Sequence, residues 1–237
     1  MSFIIAVYVN EGMVLASDSR VSYNNTQVNG VNTTVLVGVH SSDTVNKTFK
    51  CPNNIGISTC GSASVKGLPI TGFIEDFIRN FFTEHTKVST VPSSIISYFQ
   101  NLDPNLNIHF IIAGYEDDGN GLSQKLYHVQ TNTGTIVNDD TSSQGARWDG
   151  ETSILSKVIQ PTAMKNPDGS YTDLANYSIP WNLFSLQDAI NFAKYAVDIT
   201  IQTMHFQNVN ETVGGPVDIL IIKPEKAFWL KKKDLSA

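Results

Sequence analysis

Hydrophobic positions along the chain fall into blocks of two different periods. Ile4–Val9 and Met13–Ser19 are apolar runs of strand length. The Asn10-Glu11-Gly12 segment between them is a short glycine-containing loop, so the pair predicts a hairpin. Thr48–Cys51 and Ile55–Thr59, around Pro52-Asn53-Asn54, predict a second hairpin. The Val21–Asn46 stretch between the two is rich in Asn, Thr, Ser and Val and reads as a long excursion with one strand near Val35–Val39. The period then lengthens. Ile70, Phe73, Ile74, Phe77, Ile78, Phe81 and Phe82 recur at three and four residues, which predicts the core face of an amphipathic helix.

Val91–Leu102 reads as a second helix, with Pro92 in its first turn and Pro104 beyond its end. Asn107–Tyr115, Lys125–Thr131 and Gly134–Val137 read as strands, divided by the turn-rich segments Asp117–Gly121 and Asn132–Gly134. Glu151–Gln160 looks helical and stops at Pro161. Ala163–Pro180 has no period and reads as an irregular insertion. Leu186, Ala189, Ile190, Ala193, Val197, Ile201 and Met204 form one face of a long helix, with Ser185 as its N-cap. Val217–Ile222 and Ala227–Leu230 close the chain as strands. No repeat, low-complexity tract or linker interrupts this order, so residues 1–237 are expected to form one α+β domain. Two antiparallel sheets between two helix layers, a four-layer αββα sandwich, would bury each of these apolar faces.

Composition narrows the function classes. The 237 residues carry 16 Lys and Arg against 22 Asp and Glu, a net charge of −6, which argues against nucleic acid as a partner. No stretch approaches the ~18 apolar residues of a membrane span. Met-Ser-Phe has neither a basic start nor a small-residue cleavage site, so the expected location is the cytoplasm. With two cysteines, Cys51 and Cys60, a disulfide framework is not expected. The five histidines show no metal-ligand spacing, and no metal or cofactor is expected. Asp117-Asp118-Gly119-Asn120 fails the ligand spacing of a calcium loop. No Gly-x-Ser-x-Gly elbow, P-loop or GxGxxG occurs.

The beginning of the chain carries the candidate chemistry. A strand starts directly after Ser2. If Met1 is removed, as is usual before a small second residue, Ser2 holds a hydroxyl and a free α-amine together. An α-amine titrates near pH ~8, so a useful fraction can accept the hydroxyl proton at neutral pH. Nucleophile and base then share one residue. Such a scheme needs a cation to tune the amine, an anion to hold the cation, and a backbone N–H for the oxyanion.

Three segments carry a resemblance to the proteasome β-subunit and HslV-type peptidases, which are N-terminal nucleophile (Ntn) hydrolases. SFIIAVYVNEGMVLASDSR resembles the family's opening hairpin, with the nucleophile on Ser2 and the strand-borne acid on Asp18. NKTFKCPNNIGISTCGSA resembles the stretch with the catalytic lysine and oxyanion glycine, here Lys47 and Gly61. VGGPVDILII resembles the Gly-Gly pair and the strand after the last long helix. The resemblance implies that Lys47 tunes the Ser2 amine, that Asp18 holds Lys47, and that Gly61 N–H receives the oxyanion. It implies that Thr59 and Ala63 line the first substrate pocket and leave room for a medium-to-large apolar side chain.

Polar support for the chain end falls, in the family's register, on Gln144 and Asn210, both departures from the family pattern, while Val213 supplies none. The implied partners are a peptide or unfolded protein as substrate, further copies in a homo-oligomeric ring, and an ATPase. Serine in place of the family's threonine keeps the chemistry but loosens χ1, so a slow peptidase is expected. A non-catalytic, proteasome-like scaffold and a small-molecule amidase of the same mechanistic class are the alternatives.

Overall fold

The computed structural model describes residues 2–29 and 32–234, with side chains at all of these except positions 24–29 and 32–39. Strands β1 (Phe3–Val9) and β2 (Gly12–Ser17) form the expected antiparallel hairpin, with Tyr8 opposite Met13. The Asn- and Thr-rich excursion holds two strands rather than one. β3 (Val21–Asn29) and β4 (Asn32–Ser42) pair with each other as a separate hairpin, with an irregularity between Tyr23 and Asn25. β5 (Thr48–Lys50) and β6 (Gly56–Gly61) follow. Asn53 and Asn54, with φ of 54° and 55°, make the turn between them, because asparagine tolerates the left-handed region.

A short hairpin, β7 (Ser64–Val65) with β8 (Leu68–Pro69), leads into helix α1 (Ile70–Phe81), and α2 (Val91–Leu102) comes next. β9 (Ile108–Asp117), β10 (Leu122–Gln130) and β11 (Thr135–Asp139) form a meander. β12 (Gly145–Gly150) has no strand signature in the sequence. It is a strand because it adds to the free edge of β1, Phe3 opposite Gly150 and Tyr8 opposite Gly145. α3 spans Ser153–Ile159. Within the segment expected to be irregular, β13 (Ala163–Lys165) and β14 (Tyr171–Asp173) pair as an exposed hairpin. α4 (Leu186–His205) opens with a capping box in which the Ser185 and Asp188 side chains each accept the other's backbone N–H. β15 (Asp218–Ile222) and β16 (Ala227–Lys231) complete the chain.

The described strands form two five-stranded antiparallel sheets, β12-β1-β2-β15-β16 and β11-β10-β9-β6-β5, with β3-β4, β7-β8 and β13-β14 as separate hairpins. With four described helices the fold is α+β. Alternation along each strand divides its side chains between two clusters. Phe3, Ile5 and Val7 of β1 join Ala189, Ala193 and Val197 of α4. Their neighbours Ile4 and Ala6 join Ile111, Ala113 and Leu126 of the other sheet. Ile57, Phe110 and Ile112 join Ile74, Phe77, Ile95 and Phe99 from α1 and α2.

One position on the expected α1 face differs: Phe81 is 49% exposed while Phe82 is buried. The helix ends at Phe81 and the chain turns extended at Phe82, so Phe82 swings inward and Phe81 stacks on Phe77 from outside, ring centroids 4.9 Å apart. Cys51 and Cys60 are free and buried. Among the described residues no helix is long and apolar enough to cross a membrane.

Candidate active site

Asp18, directly after β2, is wholly buried and has every side of its carboxylate occupied. Oδ1 accepts the Phe3 backbone N–H at 3.0 Å, and Oδ2 accepts the N–H groups of Arg20 at 3.1 Å and Gly214 at 3.0 Å. Lys47 Nζ donates to both oxygens at 2.7 Å and also to the Arg20 carbonyl. The ammonium therefore shares a carboxylate oxygen with the N–H of the residue that follows Ser2. Burial pushes the Lys47 ammonium below its ordinary value, and the Asp18 charge and hydrogen bonds push back.

Ser2 is almost wholly buried, and its carbonyl accepts Glu151 N–H at 2.8 Å. A pocket of about 300 Å³ opens beside it, lined among others by Ser2, Lys47, Thr59, Cys60, Gly61 and Ala63. The residues expected to form the nucleophile, cation, oxyanion site and substrate pocket thus face one cavity, and Asp18 lies beneath Lys47. Met1 and its expected removal lie outside the described residues. Gly61 has φ +108°, and a Cβ there would stand 2.3 Å from the Asn107 carbonyl oxygen. Only glycine fits that bend.

Of the two residues expected to support the chain end, the structure places Gln144 away from Ser2 and Asn210 on a neighbouring cavity. Gln144 precedes β12 at the Tyr8 end of its pairing with β1, whereas Ser2 adjoins the Gly150 end. With its amide turned to satisfy both ends, Gln144 donates to the carbonyls of Trp181 at 2.7 Å and Phe184 at 3.1 Å and accepts from Asn10 Nδ2 at 3.1 Å. Asn210 is exposed and lines a different cavity with Ser22, Glu151 and Thr212. Val213 is buried among the α4 contacts.

What the sequence underplayed is Arg20. Its Nε and Nη2 hold Asp43 at 2.7 and 2.8 Å, Nη1 holds Glu211 at 2.6 Å, and its backbone serves Asp18 and Lys47. Gly214 lets the guanidinium lie against the main chain, since a Cβ there would meet Arg20 Nε at 2.6 Å. The sign in the sequence was the pairing of Arg20, two residues past Asp18, with a Gly-Gly step.

Comparison with known proteins gives a fold and no family. No family model matches the chain, and no curated protein matches it. Among solved structures it is similar to a Gly-1 mutant of Anbu from Hyphomicrobium sp. strain MC1, at 15% identity and a TM-score of 0.62, over 100% of this chain and 88% of that one. A second Anbu structure from the same strain matches at 14% identity and a TM-score of 0.57, over 98% of this chain and 88% of that one. The likeness at this identity is one of fold. The expected membership of the proteasome β-subunit and HslV family is corrected accordingly, because no sequence-level match accompanies the shared architecture.

Proposed function

We propose that the chain hydrolyses amide bonds of peptides with Ser2 as an N-terminal nucleophile, on a four-layer αββα scaffold. The observation that carries this reading is the Lys47–Asp18 pair, buried against the Phe3 N–H and opening onto the cavity that Ser2 lines. Removal of Met1 frees the Ser2 amine. The amine takes the hydroxyl proton as Oγ attacks the substrate carbonyl carbon, and the Gly61 N–H receives the oxyanion. The tetrahedral intermediate collapses, the C–N bond breaks, and the proton on the Ser2 amine passes to the leaving amine. Water then hydrolyses the Ser2 ester by the same proton route. Lys47, charged and held by Asp18, keeps the amine from being protonated at neutral pH. A homo-oligomeric ring, an ATPase partner and a cytoplasmic location go with this reading.

The test joins two mass measurements on untagged protein. The expected mass lacks Met1 and rises by one adduct with a peptide epoxyketone, which needs both hydroxyl and free amine, and Ser2→Ala gains none. A mature chain that stays unmodified overturns the reading. That outcome favours a non-catalytic scaffold, a reading to which Gln144, held at the Tyr8 end of the β1–β12 pairing and away from Ser2, lends support.

A further inference from the structure

The layer between the two sheets is built from Ile4, Ala6, Met13, Leu15, Ile111, Ala113 and similar side chains. At one edge this apolar layer is broken by four side chains of another kind. Cys60 of β6, His109 of β9, His128 of β10 and Asp149 of β12 come from both sheets. Cys60 and His109 are opposite one another in the β6–β9 pairing, and Asp149 is opposite Ile4. Cys60 Sγ, a ring nitrogen of His109 and a carboxylate oxygen of Asp149 all lie within 4.8 Å of one another. His109 Nδ1 meets Asp149 Oδ2 at 2.7 Å, and His128 Nε2 meets the same oxygen.

The outer contacts aim these atoms inward. His109 Nε2 lies 3.1 Å from Asn107 Oδ1, a bond that, donated by Nε2–H, leaves the Nδ1 lone pair facing the cluster. Asp149 Oδ1 accepts Gly150 N–H at 2.6 Å, which leaves Oδ2 for the interior. An Asp between two imidazoles is already a satisfied polar network. The thiol of Cys60 adds a soft donor that such a network does not need.

We propose that Cys60, His109, His128 and Asp149 bind a zinc-type divalent transition metal that clips the two sheets together beside Ser2. One thiolate, two imidazoles and one carboxylate suit a tetrahedral, closed, structural site. Bonds of ~2.0–2.3 Å place ligand atoms roughly 3.3–3.8 Å apart. The ion therefore spreads the His–Asp contacts slightly and draws in both Cys60 and His128, which stands outside the three residues whose donor atoms lie mutually within 4.8 Å. It replaces the thiol proton and the proton shared by imidazole and carboxylate, and both leave to water. The proposal does not depend on Ser2 acting as a nucleophile.

Cobalt reads the site directly. The full chain, stripped with chelator and dialysed, is titrated with Co²⁺ and then with Zn²⁺. Expected are saturation at one ion per chain, the visible bands of tetrahedral Co²⁺ with a thiolate charge-transfer band, and bleaching by Zn²⁺. Cys60→Ser should lose the charge-transfer band and bind Zn²⁺ at least about tenfold more weakly, while Cys51→Ser keeps both. No saturable binding to the wild-type chain, or an undiminished charge-transfer band in folded Cys60→Ser, overturns the proposal. If Cys60→Ser loses its circular-dichroism spectrum, His128→Asn decides by the same Zn²⁺ affinity, and unchanged affinity overturns the site.

Discussion

Lys47 Nζ stands 2.7 Å from both carboxylate oxygens of Asp18, and three backbone N–H groups, from Phe3, Arg20 and Gly214, complete that carboxylate's surroundings. Both side chains are almost wholly enclosed. Removing one partner of a buried pair leaves the other charge uncompensated. Lys47→Ala is therefore expected to lose about 3–5 kcal/mol of stability, read from urea midpoints. Replacing both residues by apolar ones often restores stability where a pair stands alone. Here Asp18→Leu with Lys47→Met should stay unstable, because the buried N–H groups of Phe3 and Gly214 and the part-buried one of Arg20 lose their acceptor. A double variant as stable as wild type would contradict this account.

Gly61→Ala tests the bend that shapes the pocket. Its positive φ and the Asn107 carbonyl 2.3 Å from a built Cβ should together cost about 1–3 kcal/mol or more. Gly67→Ala is the control. Its φ is +76°, but nothing lies within 4 Å of a Cβ there. Thermal unfolding of both variants should show the larger loss at Gly61, and equal losses would mean the carbonyl moves aside freely.

The Arg20–Asp43 pair predicts an acid-side dependence. The guanidinium hydrogen bond holds the Asp43 carboxyl below its ordinary value. Its folded pKa lies under its unfolded value, so the stabilisation is fully present above the usual carboxylate range of about 4. It fades as pH falls through the lower folded value. The midpoint difference between wild type and Asp43→Asn should be constant from neutral pH down to about 5 and shrink below about 4. A difference that grows on acidification would reverse the sign.

Ser185→Ala removes one half of the capping box at the start of α4. A loss of about 1 kcal/mol is expected, measured as a shift in urea midpoint. Asp188→Asn should cost less, since its amide oxygen can still accept the Ser185 N–H.

The long helices were legible because their burial follows a period fixed by local geometry: Ala189, Ala193, Val197 and Met204 are buried where the spacing predicted. The β1–β2 hairpin was legible for the same reason. β12 was not, since GARWDG has no alternation, and its strand state comes from the open edge of β1. The β3–β4 excursion hid its second strand behind Asn- and Thr-rich positions. In the candidate site, Lys47 and Gly61 were singled out by resemblance rather than by any local pattern, and Ser2 by its place directly before a strand. Gln144 and Asn210 flank irregular segments, where register carries no distance. Cys60, His109, His128 and Asp149 have no common spacing, and only the strand pairings bring them together.

Asp18 near the front of the chain is completed by Gly214, 196 positions later. A ribosome releases residues in order, so that carboxylate waits for residue 214 before its cage can close. Until then Oδ2 has only the Arg20 N–H and the Lys47 ammonium as donors among these partners.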